Sequence, residues 1–446
     1  MKVMLISLGC DKNLVDSEMM LGILADKGYT LTDDEDEAEV IVVNTCSFIL
    51  DAKTESIQTL IDYGALKQNG ILKCLACTGC LAQRYEKEIR TDIPEVDIIL
   101  GTASFDRIAD AIDDFFKQYN DIESKISFLD DIDSKLIYGC KRILSTGGHY
   151  AYLKIAEGCD KHCTYCAIPS FRGRYRSVPM EQLIKEAEEL VREGVKELII
   201  VAQETTVYGL DLYGKKSLHI LLQKLCDIKD LEWIRLLYCY PEEIYDELIA
   251  VMSKEPKICH YIDMPIQHSE NFVLQKMGRR TNRQMLEDII KKLRDSIPDI
   301  AIRTTLITGF PGEKEEHFEA VLEFVKKMRF DRLGVFTYSA EEGTIAADME
   351  EQISEEIKEE RRDAIMQMQQ EIAFENANEK IGRVMRVMVE GRVPEGALVC
   401  RSYMDAPEVD GFVFVDTDLD IMSGTFLDVS IIENNEYDLI GTIIEN

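Results

Sequence analysis

Three cysteines crowd residues 157–170, EGCDKHCTYCAIPS, where Cys159, Cys163 and Cys166 stand in a C-x3-C-x2-C pattern. Three thiolates on one loop are one short of the four ligands that close a structural zinc site. Zinc also tends to arrive as two separated C-x2-C pairs, or one such pair with histidines. A [4Fe–4S] cube fits better, because three cysteines can anchor three irons and leave the fourth open to an outside ligand. His162 adjoins Cys163 and would have to fold back on its own loop to fill that place. Asp160, Lys161 and His162, between the first two cysteines, do not read as core sequence.

A second set is dispersed. Cys10, Cys46 and Cys80 each follow an apolar run, KVMLISLG, AEVIVVNT and ILKCLACTG. As parallel strands, those runs would deliver all three thiols to one carboxyl edge, where open α/β sheets bind their ligands. Cys74 and Cys77 extend the last run to C-x2-C-x2-C, a spacing that also begins ferredoxin motifs. Here LAQRY follows, without a further cysteine and proline, and both residues lie within the apolar run, so we read them as core. Cys140, Cys226, Cys239, Cys259 and Cys400 are not at metal-ligand spacing and read as structural. Thirteen cysteines, an odd number, without a secretion signal argue against a disulfide framework.

The elements that must position these residues fall into three regions. In residues 1–118 the runs KVMLISL, AEVIVVN, ILKCLAC and VDIILGT alternate with polar helical stretches. Apolar on both faces, they predict buried parallel strands of a doubly wound α/β domain. Residues 119–146 are charged, end near a Gly pair, and predict a linker. From 147 to 378 six further strands are expected, in YAYLKIAEG, VKELIIVAQ, WIRLLYCYP, HYIDMPIQ, AIRTTLITGF and RLGVFTYS. Six strand–helix units make a partial (β/α)6 barrel whose site lies at the carboxyl ends of its strands. The central triad follows the first of them. A long charged helix within 350–380 leads out to residues 379–446, whose short Gly- and Asn-punctuated strands predict a small antiparallel β-barrel of about five strands.

Composition narrows the function classes. Hydrophobic residues make up 46% of the 446, ample for packed cores, but no apolar run reaches the ~18 residues of a membrane helix. The opening MKVMLISLGC turns polar too soon for a signal peptide, which leads to the expectation of a cytoplasmic enzyme with no membrane partner. Lys and Arg number 51 against 83 Asp and Glu, a net charge of −32. Nucleic-acid binders carry a basic footprint; this chain would repel polyanions and suit a basic protein.

The C-x3-C-x2-C motif with Tyr165 before its last cysteine resembles the radical S-adenosylmethionine superfamily. That resemblance implies that the open iron chelates the amino and carboxylate groups of S-adenosylmethionine, and that cleavage gives a 5′-deoxyadenosyl radical. The protein's share is then to position the cofactor and exclude water. Cofactor contacts are implied for Tyr165 and for the end of the second barrel strand. The superfamily often has Gly-Gly-Glu there; this chain has Ala202-Gln203-Glu204, so the contacts fall to Gln203 and Glu204. In TLITGFPGE, at the end of the fifth strand, Gly309 and Gly312 allow close backbone approach, and Gly309 is a further expected cofactor contact. His268, in DMPIQHSE, either faces the site or serves the structure.

Two three-cysteine sites and a small C-terminal barrel resemble the methylthiotransferases, which combine an N-terminal cluster domain, a radical S-adenosylmethionine barrel and a TRAM domain. The resemblance implies two [4Fe–4S] clusters, catalytic roles for all six cysteines, a flavodoxin- or ferredoxin-type electron donor and a sulfur donor. The reaction inserts a methylthio group at an unactivated C–H bond. Members divide between an adenosine in tRNA and an aspartate β-carbon in the twelfth protein of the small ribosomal subunit. SLGCDKNLVDSE and CAIPSFRGRYRSVP are similar to the ribosomal branch. The tRNA branch usually has Gln-Met-Asn after its first cysteine, where this chain has Asp11-Lys12-Asn13. Residues 381–446 carry four Lys and Arg against thirteen Asp and Glu, net −9, which repels tRNA and attracts a basic protein. DAPEVDGFVFVDTDLD (405–420) is the expected contact face. Two other readings stand beside this one: the same chemistry on tRNA, and a non-catalytic iron–sulfur assembly or electron-transfer protein. The arginines of RGRYRS (172–177) either clamp a substrate carboxylate or tie the barrel to its neighbour domain.

Overall fold

A computed structural model describes residues 1–444 except 71, 119–124, 135 and 395. The first sheet contains β1 (Lys2–Ser7), β2 (Thr30–Leu31), β3 (Val40–Thr45), β4 (Cys74–Gly79), β5 (Ile98–Leu100) and β6 (Ile126–Phe128). All neighbours are parallel, in the order β2-β1-β3-β4-β5-β6. Every residue of β3 and β4 is buried, because both faces are covered. Val40, Val42, Cys74 and Ala76 pack with residues of helices Asp11–Asp26 and Ile108–Lys117. Ile41, Val43, Leu75 and Cys77 pack on the other face with Leu60 of helix Leu50–Gln68. Cys74 and Cys77 are thus core residues on opposite faces.

The segment expected to be a linker does more than connect. Residues 119–124 lie outside the described residues, but Ile126–Phe128 adds β6 to the sheet edge. A strand of three residues is too short to announce itself by periodicity. Further on, Arg142 is buried. It donates to Glu18 and Glu186, at 2.5 and 2.7 Å, and to the Tyr152 carbonyl, at 2.8 Å, bracing the first domain against the second.

The second sheet contains β7 (Tyr150–Lys154), β10 (Glu197–Val201), β11 (Trp233–Leu236), β12 (Ile258–Asp263), β13 (Ala301–Thr308) and β14 (Arg332–Thr337). They run parallel in sequence order as an open six-stranded sheet, the partial barrel. Helices Met180–Arg192, Arg283–Ser296 and Glu315–Met328 bury Leu183, Ile290 and Phe324 in its core. Two short strands, β8 (Ala156–Glu157) and β9 (Arg176–Ser177), pair antiparallel just past β7 and pinch off the loop that bears the central triad.

After the helix Glu355–Asn378, the chain closes a five-stranded barrel from β15 (Val384–Arg392), β16 (Leu398–Ser402), β17 (Val413–Val415), β18 (Phe426–Asn435) and β19 (Asp438–Ile443). Four pairings are antiparallel, as expected, but β17 and β19 run parallel. The stretch between β17 and β18 carries the chain across the barrel, so that β18 enters beside β15 and the β18–β19 hairpin returns alongside β17. This barrel docks on the second sheet. Phe426 meets Trp233 edge to face at 4.8 Å, and Tyr261 Oη donates to Asp410 at 2.7 Å. Arg401 reaches Glu197 at 2.6 Å and Glu390 at 2.8 Å, while Arg235 reaches the other oxygen of Glu197 at 2.7 Å. The Asp405 and Asp410 side chains are buried and pair with Arg332 and Arg303, so they form part of this joint rather than the free acidic face expected of 405–420. Asp416, Asp418 and Asp420 remain exposed.

Candidate functional site: two thiol triads

Register places the dispersed cysteines together. Ser7 of β1 lies opposite Asn44 of β3, and Thr45 of β3 opposite Gly79 of β4. Cys10, Cys46 and Cys80 therefore leave three adjacent strands at one carboxyl edge. Chain order 2-1-3 makes the space between β1 and β3 the topological switch point, the usual ligand crevice of such sheets. Cys10 precedes helix Asp11–Asp26 and Cys80 begins helix Cys80–Arg84. Gly9, at φ +89°, brings the first turn against Cys46; a Cβ there would stand 2.8 Å from the Cys46 sulfur.

Cys159, Cys163 and Cys166 share the loop between β8 and β9. Its ends are tied by Cys159 N–H to the Gly173 carbonyl, at 3.1 Å. Its middle is tied by Thr164, whose N–H and Oγ1 donate to the carbonyls of Met277 and Lys276 at 3.0 and 2.8 Å. Gly278, at φ +72°, lets that neighbouring turn approach; a Cβ would stand 2.7 Å from the His162 carbonyl oxygen. The His162 side chain is exposed. Tyr165 packs edge to face on Phe310, with centroids 6.5 Å apart. Tyr240 Oη lies 3.9 Å from the Cys163 sulfur, and the buried Arg279 guanidinium sits 4.3 Å above the Tyr240 ring.

One short helix, Ile168–Arg172, joins the two triads. It starts two residues after Cys166, and Ala167, Ile168 and Phe171 pack with Cys80 in one apolar cluster. At its end Arg172 Nε donates to the Cys80 sulfur at 3.3 Å. At 1.5 Å per residue, the helix from Ile168 to Arg172 advances about 6 Å. Arg172 also binds Asp16 and Glu157, at 2.9 and 3.1 Å, and Asn13. Of the two readings of RGRYRS, Arg172 takes the inter-domain one; Arg174 points to solvent.

The donor chemistry fits iron–sulfur clusters. Burial pushes the Cys80, Cys159 and Cys166 thiols up to about 12. Burial and then the proximity of Cys10 raise Cys46 as well. Thiolates in such surroundings need a cationic centre to hold their charge. Among the described residues no three Cys, His, Asp or Glu side chains are grouped as ligands of a single metal ion. Thiols at three corners of a cube stand further apart than ligands of one ion.

Of the expected cofactor contacts, the structure brings Gln203 and Glu204 beside the central loop. Gln203 Nε2 donates to Glu157 at 2.9 Å, which leaves Gln203 Oε1 buried without a partner. Glu204 Oε1 accepts from the Thr206 N–H at 3.0 Å, and Oε2 is buried and unpartnered. Burial raises the Glu204 carboxyl to about 7. Gly309 packs against the helix Glu355–Asn378: a Cβ there would stand 2.2 Å from Lys358 Cγ. His268 accepts the Glu270 N–H at Nδ1, 3.0 Å, and directs Nε2 to Glu313 at 3.5 Å, the structural alternative.

Residues 2–101 match an uncharacterized protein family, UPF0004; residues 153–325 match the radical SAM superfamily, and 381–444 the TRAM domain. A protein of Lachnoclostridium phytofermentans, named ribosomal protein uS12 methylthiotransferase RimO, is 58% identical over 99% of this chain and 100% of its own length. The chain belongs to the RimO family. A Clostridioides difficile protein of the same name is 47% identical over 100% of this chain and 99% of its own. Among solved structures, the radical S-adenosylmethionine methyltransferase TsrM of Kitasatospora setae shares the fold at TM-score 0.55. It is 12% identical and covers 89% of this chain and 80% of that one. For a RimO-family chain, sequence reasoning missed Arg172's tie to Cys80, the Tyr240–Arg279 pair, and Tyr238, which stands at φ +60° just past β11. The tyrosines of YCYP at a strand end were the visible signal.

Proposed function

We propose that this chain adds a methylthio group to the β-carbon of an aspartate in ribosomal protein uS12. Cys159, Cys163 and Cys166 hold one [4Fe–4S] cluster with S-adenosylmethionine at its open iron; Cys10, Cys46 and Cys80 hold a second. The observation that carries this reading is the convergence of two separate three-thiol sites on the two ends of helix Ile168–Arg172, within a RimO-family chain. When bound, the clusters and S-adenosylmethionine supply the radical that removes hydrogen from carbon and the methylated sulfur that replaces it.

The chain's own groups do the positioning. The Thr164 and Gly278 contacts fix the cysteine loop, and Tyr165 walls it from solvent. Gln203 Oε1 and Glu204 Oε2, both buried acceptors without partners, suit donor groups of S-adenosylmethionine such as the N–H of its amino group. The net charge of −9 on residues 381–446 favours a basic protein over tRNA. The functional units are 1–118, 147–378 and 379–446. A flavodoxin- or ferredoxin-type donor supplies electrons, a separate donor supplies sulfur, and the reaction takes place in the cytoplasm. Among the described residues no helix is long and apolar enough to cross a membrane.

Tryptic peptides of uS12 from cells with and without this chain test the proposal. The aspartate peptide should differ by one methylthio group in place of one hydrogen. Identical peptides, or a methylthio group found on tRNA nucleosides instead, would overturn it. Absence of 5′-deoxyadenosine from reduced protein given S-adenosylmethionine would favour the non-catalytic reading.

A further inference from the structure

We propose that Arg172, supplied by the barrel, is a positioning residue for the N-terminal triad: its Nε–H donates to the Cys80 sulfur and raises the reduction potential of the cluster held there. The inference rests on the reading of Cys10, Cys46 and Cys80 as cluster ligands.

Arg172 is buried, and its guanidinium makes contacts in several directions. Nε points to Cys80 Sγ at 3.3 Å, Nη1 to Asp16 Oδ2 at 2.9 Å and Glu157 Oε2 at 3.1 Å, and Nη2 to Asn13 Oδ1. Three of these partners belong to the first domain and one to the barrel. Lys154 binds the same two carboxylates, Asp16 and Glu157. Two cations therefore face two anions, and the plane of the guanidinium is locked with its Nε–H aimed at sulfur. A lysine could keep the charge but not this fork, because a single ammonium on a flexible stem cannot span four acceptors in fixed directions.

Hydrogen bonds to cluster sulfurs are among the factors that set reduction potential. A donor stabilises the more electron-rich, reduced state, so its loss moves the potential to more negative values. The donor comes from the helix that starts beside the central triad. Electron affinity at one cluster site is thereby tied to correct docking of the domain that carries the other.

The test uses the full chain with Cys159→Ala, Cys163→Ala and Cys166→Ala, which leaves the N-terminal site alone. Midpoint potentials are read by electron paramagnetic resonance during redox titration, with proton double resonance of the reduced cluster. Adding Arg172→Lys should shift the midpoint to more negative values and remove an exchangeable proton coupling. Arg174→Ala, two residues further on the surface, should change neither. If Arg172→Lys fails to fold, Arg172→Gln with Asp16→Asn keeps the buried charges balanced and should shift the midpoint in the same direction. A cluster with unchanged midpoint and unchanged coupling overturns the inference but leaves the two-cluster reading intact. No cluster in the triple-alanine parent overturns both.

Discussion

The Lys12 ammonium stands 3.2 Å from the centre of the Tyr238 ring. Both groups meet the Asp11 carboxylate, Lys12 Nζ at 3.0 Å and Tyr238 Oη at 3.1 Å. Asp11 and Lys12 occupy the place where the tRNA branch has Gln-Met, and here they span from the carboxyl edge of the first sheet to the end of β11. Burial is the largest single influence on Lys12 and opposes its charge, but Asp11, Tyr238 and Cys10 together outweigh it, and the ammonium is held well above its ordinary range.

Lys12→Met strands the Asp11 carboxylate in a buried place, which should cost about 3 kcal/mol. The double variant with Asp11→Asn removes both charges and should cost less than the two single changes together. Denaturant unfolding of cluster-loaded protein measures this cycle; strict additivity would show that the pair does not act as a unit.

Two glycine substitutions should separate the clusters. Gly9→Ala drives a methyl into Cys46, and Gly278→Ala drives one into the His162 carbonyl; each also strains a positive φ. Gly9→Ala should lower iron at the N-terminal site only, and Gly278→Ala at the central site only. Gly28→Ala, at φ +88° with open space around it, should cost about 1 kcal/mol without changing the iron content. Iron analysis with electron paramagnetic resonance distinguishes the three.

Glu204 should make S-adenosylmethionine binding depend on pH. Its carboxyl is raised to about 7, chiefly by burial, so it is neutral below that pH and anionic above it. Only the anion offers both oxygens as acceptors to the amino N–H of S-adenosylmethionine, so affinity should fall as pH drops, by up to about tenfold between pH 8 and pH 6. Binding measured across this range should show the slope in the parent protein and lose it in Glu204→Gln. A slope that survives the substitution assigns it to another group.

The joint between the last barrel and the second sheet is also open to test. Arg401→Met removes the bridge between Glu197 and Glu390, leaving Glu197 to Arg235 and Glu390 to His149. A loss of about 3 kcal/mol is expected, with faster proteolysis near residues 379–383 and unchanged iron. Lost iron would mean that the joint supports the cluster sites themselves.

Much of this architecture was legible because its signals are local. β3 and β4 are apolar on both faces, and each delivers a cysteine just past its end. The central motif fixes its own loop. What escaped the sequence depends on long-range approach. Arg172 and Cys80 are 92 positions apart and meet only once two domains dock. Asp405 and Asp410 read as a free acidic face because the arginines they bury against, Arg332 and Arg303, lie on strands of another domain. β6 is too short to show a period, and nothing in sequence announces that Lys358, 49 positions on, packs against Gly309.

The claim on which the account depends is that each triad holds a cluster of its own. Iron and sulfide analysis of oxygen-free protein, with each set of three cysteines replaced by alanine in turn, tests it most directly. About eight irons per chain are expected, falling to about four for either triple substitution. Four irons in the parent protein, or a loss of all iron from one triple substitution, would contradict it.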